Sequence, residues 1–197
     1  MTPRLNLLRR LLHWIVALIV VVMIPAGLVF TDFDNKGWIE AAFGQGSFNS
    51  FYDMHKSTGV LVFALMAVRV GARFAWPAPA HEPRLPFLER ALATLAHIGL
   101  YLLLIAVPVL GYLGTVAYPA PVPVFGMFEI PAVMAPDREL SNTLLHWHGI
   151  GAFTLAALAV VHVCAALWHR NVRQDSVFDR IALRRAGRRS FRGAPAE

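Results

Sequence analysis

Cysteine is almost missing from this chain. Cys164 is the only one among 197 residues, so no intrachain disulfide is possible and the redox compartment cannot be read from cysteine usage. Charge is also scarce, at 15% of residues, against a hydrophobic fraction of 57% and a mean hydropathy of +0.54. That balance excludes an ordinary soluble domain, because several long apolar runs are separated by short charged segments. Carboxylates are absent from the interiors of three of those runs, which argues against a proton or ion transporter, a class that places acidic groups within its spans. The formal net charge of +6 does not indicate nucleic acid. The basic residues are not interleaved with aromatics on a polar face but gather at the ends of apolar runs, as orientation in a membrane requires.

Four apolar runs remain, over residues 11–30, 54–76, 88–117 and 146–169. Each is long enough to cross a bilayer as a helix. The first follows Arg4, Arg9 and Arg10 and is too long for a typical signal-peptide core, so it is expected to stay as a span. Pro25 is expected to kink it. Residues 31–53 read as a polar, acidic loop, residues 77–86 as a short proline-rich connection, and residues 118–141 as a partly buried interfacial loop. Of the 18 Lys and Arg residues, 15 lie at the N-terminus, the second connection and the tail, leaving Lys36, Lys56 and Arg138 on the other side. The positive-inside rule therefore puts both termini in the cytoplasm. The expected organisation is one all-α, integral-membrane four-helix bundle over residues 1–182, followed by a basic cytoplasmic tail over 183–197.

Histidine carries the functional signal. His148 and His162 lie fourteen residues apart in the last span. At about 100° and about 1.5 Å per residue, they share a helix face at depths roughly 21 Å apart. The same interval separates His13 from Gly27, His55 from Arg69 and His97 from Gly111. Imidazoles within a bilayer are costly and usually functional. Two flat macrocycles stacked between the helices would use this pattern: imidazole on iron, small residues at the ring edges, and cations for the carboxylates. An outer haem would take His55 and His148. An inner haem would take His162 with either His13 or His97. His13 is the preferred ligand, with His97 then beside a propionate or a quinone and Arg69 beside an inner propionate. Two histidines leave iron with no open position, which points to electron transfer. Zinc would need three or four nitrogen or sulfur ligands at one level, and only the inner level offers three histidines.

The other polar and aromatic residues have plainer readings. His146 is expected to face away from His148, His81 to be solvated, and His169 to interact with terminal helix carbonyls. Trp38, Trp76, Trp147 and Trp168 read as an aromatic belt. Gly27 and Gly111 also suit close helix packing.

In order and spacing, the chain from residue 4 to 182 resembles the bacterial cytochrome b561 family. The resemblance rests on Leu12-His13-Trp14, His55-Lys56-Ser57-Thr58-Gly59, Val68-Arg69, Leu95-Ala96-His97 through Pro108 to Gly111, and Phe125-Gly126 with Pro131. Its strongest part is His148, then His162 through Trp168-His169, then Gln174-Asp175-Ser176-Val177 and Arg180. Ile181-Ala182 stands where the family pattern often has Arg-Met after that motif. The resemblance implies a multi-pass bundle in the bacterial inner membrane holding two haem b groups. It implies His13 with His162 and His55 with His148 as axial ligands, and His97 as a non-axial histidine. It further implies electron exchange between ubiquinone and a donor on the outer side. Superoxide is the leading donor, and a soluble cytochrome or dehydrogenase is the alternative. Lys56 and Arg138 would supply positive potential for an anionic substrate, although the outer loops carry seven carboxylates: Asp32, Asp34, Glu40, Asp53, Glu129, Asp137 and Glu139. The segment from Phe125 to Pro131 is the candidate quinone or substrate site.

Overall fold

The computed structural model describes residues 5–30, 34–77 and 86–183. The expectations for Arg4, Asp32, His81 and the tail from residue 184 onward fall outside the described residues. Four long helices dominate: α1 (Leu7–Val29), α3 (Ser47–Ala75), α4 (Phe87–Ala117) and α5 (Arg138–Trp168). A short helix, α2 (Asn35–Phe43), precedes α3, and a two-stranded antiparallel hairpin, β1 (Pro123–Val124) and β2 (Phe128–Glu129), lies between α4 and α5.

Local chemistry explains the helix boundaries. The Asn6 side chain accepts the Arg9 N–H at 2.9 Å and starts α1. Pro25 lies within α1, which continues past it to Val29. Asp137 does the same for α5, accepting the Leu140 N–H at 3.0 Å. That helix thus begins at Arg138, shortening the loop expected over residues 118–141. α3 starts at Ser47 rather than near residue 54, and α2 occupies part of what reads as a polar loop. The first two turns of α3 carry Ser47, Asn49, Ser50 and Asp53, so a search for continuous apolar residues misses them; its most apolar window still has a mean hydropathy of 1.6.

Many large apolar side chains face outward, among them Leu18, Leu102 and Val160, each more than 60% exposed. Such a surface fits a lipid solvent. α4 packs along α5 in the most extensive helix interface, α1 packs on α3, and α3 on α4, whereas α1 meets α5 only slightly. The bundle therefore stays open where α5 faces α1. Val16, Val62, Met66, Leu104 and Leu155, from all four long helices, form the buried core between the two ends.

Beyond α5 the helix widens over one turn (His169–Arg173), and Gln174 takes φ 52° to reverse the chain. The following segment folds back over the start of α1. The Trp14 indole N–H donates to Ile181 O at 2.9 Å, Arg10 Nη1 donates to Ala182 O at 2.9 Å, and the Leu5 N–H donates to Arg180 O at 3.3 Å.

Candidate functional site

The eight residues set fourteen apart converge into two clusters. At the outer level, His55 on α3 faces His148 on α5 with ring centroids 6.2 Å apart and planes at 81°. Nδ1–H of His148 donates to Val107 O at 2.9 Å, which leaves its Nε2 lone pair for a ligand. His55 packs edge-on to Phe30, and its Nδ1 is buried with no hydrogen-bond partner among the described residues. The glycines serve these rings rather than helix backbones. A Cβ at Gly111 would lie 2.8 Å from His148 Nδ1, and one at Gly27 would lie 3.3 Å from His55 Cε1.

The inner level joins His13 (α1), Arg69 (α3), His97 (α4) and His162 (α5). His13 and His162 have centroids 6.3 Å apart, and His97 and His162 are 5.2 Å apart. His97 Nδ1–H donates to Ala93 O at 2.5 Å. Arg69 Nη2 donates to His13 Nδ1 at 2.9 Å, and Arg69 Nε donates to the Tyr101 hydroxyl at 3.2 Å. A guanidinium only donates, so His13 Nδ1 accepts and the ring proton sits on Nε2. For His13 to offer Nε2 to a metal, that proton must leave beside Arg69, or Arg69 must turn away. Arg69 and the histidine it touches therefore set the inner level apart from the outer one.

The ring separations test whether one metal fits each pair. Imidazole–metal bonds of about 2.0 Å, as for zinc, with roughly 1.2 Å more to each ring centre, put two opposed imidazoles about 6.4 Å apart. The His55–His148 and His13–His162 pairs match this span, and His97–His162 is about 1 Å too short. Among the described residues no group of three or more His, Cys, Asp or Glu forms a metal-binding cluster, so a zinc site lacks its donor set. The donor sets present are imidazole pairs flanked by glycine or arginine, which suit haem iron.

Several expectations need correction. Lys56 is not a free cation: its Nζ lies 2.7 Å from Asp53 Oδ1 and donates to Pro121 O at 2.9 Å. Arg138 stacks on the Tyr118 ring, with 5.0 Å to its centre. His169 bonds Asp175 Oδ2 at 2.6 Å rather than terminal carbonyls. Burial raises the Asp175 pKa, but hydrogen bonds from His169 and the Val177 N–H, with the charge of Arg173, outweigh that and hold it below the usual aspartate value. Arg173 in turn pairs with Glu89 at the start of α4. His146 is exposed beside Trp147, away from His148, and Trp38, Trp76, Trp147 and Trp168 are all exposed.

The segment from Phe125 to Pro131 forms the hairpin turn and its exit. Phe125 has φ 50° and Gly126 φ 70°. Ser57, two residues after His55 on α3, is the residue that reading by spacing misses. Its hydroxyl accepts the Phe125 N–H at 3.0 Å and lies 2.8 Å from Asp53 O and 2.9 Å from Pro123 O, tying the hairpin to α3. Two shallow hollows flank the hairpin. One of about 410 Å³ is lined by Val116, Glu129, Ile130, Pro131 and Met134 among others, and one of about 260 Å³ by Ser50, Asp53, Met54 and Phe125 among others.

A membrane-spanning helical bundle with two half-buried imidazole pairs defines a class of redox carrier. The chain belongs to the prokaryotic cytochrome b561 family, whose model matches residues 4–182. It is 30% identical to cytochrome b561 homolog 2 of Escherichia coli (strain K12), over 91% of this chain and 92% of that one. It is 29% identical to cytochrome b561 homolog 1 of the same organism, over 88% and 94%. It is also 26% identical to the probable superoxide oxidase CybB of Yersinia pestis, over 89% and 94%. The chain is thus a multi-pass bacterial membrane cytochrome of the b type.

Proposed function

We propose that this cytochrome holds two haem b groups, an outer one on His55 and His148 and an inner one on His13 and His162. It passes single electrons between a donor at the outer face and ubiquinone in the inner membrane. The observation that carries the proposal is the pair of imidazole separations, 6.2 and 6.3 Å, at two depths of one bundle. Bound haem supplies one-electron oxidation and reduction at an iron with both axial positions filled. The chain's own residues do the rest. Val107 O fixes the His148 tautomer, Gly27 and Gly111 leave room for the rings, and Arg69 brings a cation to the inner level. His97 stands beside His162 without ligating iron. In this reading both termini are cytoplasmic, and the basic segment from residue 183 is a tail separate from the bundle.

The likeness to the Yersinia pestis protein supports superoxide as the outer donor, the cytochrome then acting as a superoxide:ubiquinone oxidoreductase. A second reading is favoured by the pairing of Lys56 with Asp53, which removes a free outer cation. On that reading the acidic outer face receives a basic soluble cytochrome or dehydrogenase. Purified protein given superoxide and a ubiquinone analogue separates the two. Superoxide-dependent quinone reduction supports the first, and reduction of the haems only with an added protein donor supports the second.

A further inference from the structure

Toward the inner end, the buried faces of three helices finish in polar residues. Arg9 lies seven residues before the buried Val16 on α1, Arg73 seven after Met66 on α3, and Tyr101 three before Leu104 on α4. Both intervals keep a residue on one face of a helix. The Arg73 guanidinium lies over the Tyr101 ring, 5.8 Å from its centre, and that of Arg69 lies over the same ring at 5.4 Å. Arg9 Nη1 donates to Trp76 O, at the end of α3, at 2.7 Å. Arg9 is also within electrostatic reach of Tyr101, Arg73 and Arg69. Arg69 is committed to His13 and to the Tyr101 hydroxyl. Arg73 has no hydrogen bond or ion pair among the described residues. Arg9 spends one of its five N–H groups on Trp76, and the Tyr101 hydroxyl, which accepts from Arg69, keeps its own proton for an acceptor. Glu89 and Asp175, carboxylates at this end of the bundle, are held by Arg173 and His169. Three guanidiniums therefore gather here, and among the described residues no carboxylate is bonded to any of them.

We propose that Arg9, Arg73 and the Tyr101 hydroxyl bind the phosphate of an anionic phospholipid in the leaflet at the inner end of the bundle. Like charges held together at the edge of a low-dielectric core repel one another, and an anion among them turns that repulsion into attraction. A phosphate ester suits these donors, because the guanidinium fork matches phosphate oxygens in pairs and the phenol adds a third direction. Basic pockets between membrane helices on this side recognise anionic headgroups in the same way. The surroundings favour a lipid over a free phosphate. Leu8 and Leu11 on α1, and Phe74 and Trp76 at the end of α3, are large, apolar and exposed around the same helix ends. Acyl chains laid against them gain burial that inorganic phosphate cannot. The site needs only the membrane bundle and the cation cluster, so it stands apart from the two-haem reading. Bound there, one lipid would join α1 to α3 and α4, next to the Arg69–His13 contact at the inner level.

The test uses the purified, haem-loaded full chain in mild detergent, titrated with phosphatidylglycerol or with phosphatidylcholine of the same acyl chains. Native mass spectrometry counts bound lipid and haem together. Wild-type protein should hold one phosphatidylglycerol tighter than phosphatidylcholine by about tenfold or more. Arg9→Gln and Arg73→Gln should each weaken phosphatidylglycerol by about fivefold, the worth of one cation beside an anionic headgroup, with phosphatidylcholine binding and haem count unchanged. Arg73→Lys keeps the charge and should keep most of the preference. Equal affinity of the wild type for the two lipids would overturn the proposal. So would displacement of phosphatidylglycerol by inorganic phosphate alone, which would mark a free-anion site. Loss of haem in Arg73→Gln, with the wild type fully loaded, would assign that cation to a haem carboxylate and likewise overturn it. Should Arg9→Gln fail to fold, the two Arg73 variants decide. Fewer than two haems in the wild type would instead overturn the two-haem reading, and the lipid preference would still report on this site.

Discussion

His148 is the residue on which the outer level turns, since its Nδ1–H is held by Val107 O while its ring faces His55. His148→Ala should lose the outer haem and keep the inner one, and His162→Ala should do the reverse, as read by haem content per chain. His13→Ala should empty the inner level, whereas His97→Ala should retain haem there with an altered spectrum; an empty inner level in His97→Ala would reverse the assignment. The glycines give a graded check on the same geometry. Gly111→Ala puts a methyl 2.8 Å from the His148 ring, and its neighbours are packed helix, so most of the outer haem should be lost. Gly27→Ala, at 3.3 Å from His55, needs only a few tenths of an ångström of ring movement and should cost far less haem.

At the scale of the element, the hairpin and the C-terminal return make separate predictions. Ser57→Ala leaves the Phe125 N–H without its partner and frees the hairpin from α3, a loss of about 1–3 kcal/mol. Limited proteolysis should then cut within residues 123–129 while both haems remain, and an uncut hairpin would show that Ser57 is not its anchor. Asp175 behaves differently because it titrates. Its pKa is depressed when folded, so its contribution is complete above the ordinary aspartate value of about 3.9 and is lost as pH falls through the folded one. Hydrogen exchange of the 174–182 backbone, corrected for intrinsic rates, should accelerate in acid, and Asp175→Asn should remove that pH dependence.

These two elements also mark where the sequence stopped being readable. The spans and the histidine intervals were legible because hydropathy and a fourteen-residue face repeat are both local signals. The Ser57 anchor and the His169–Asp175 contact were not, since each depends on a chain reversal at Phe125-Gly126 or at Gln174 that spacing alone does not set. The early starts of α3 and α5 were hidden by polar first turns, although Asp137, followed by Arg138-Glu139-Leu140, carried an N-cap signal for α5. Lys56 read as a source of positive potential, and its pairing was not legible, because one partner, Asp53, lies three residues earlier on the same helix and the other, Pro121 O, lies in the hairpin approach.

The whole molecule is an open bundle. α4 and α5 pack closely, α1 and α3 pack closely, and α5 stands off from α1 although the His13–His162 pair bridges them. A bundle built without a partner in that gap would close it, because lipid-facing helices gain from close packing. On the proposed reading one flat group bridges α1 and α5 at His13 and His162 and the other bridges α3 and α5 at His55 and His148, which would account together for the imidazole separations and the glycines against the rings. It also makes haem content a property of the whole fold, and thermal stability should fall sharply when haem supply is withheld during expression. Orientation belongs to this scale too: reporter fusions after residue 183 should be active only in the cytoplasm, and an active outer-side reporter would invert the assignment of levels.

The most direct measurement is haem stoichiometry with a reduced-minus-oxidised spectrum and a redox titration on protein purified in mild detergent. The account predicts two haems per chain, both with low-spin b-type bands, titrating as two one-electron centres. A single haem, or none after expression with ample haem, would contradict it and leave the second imidazole pair without a role.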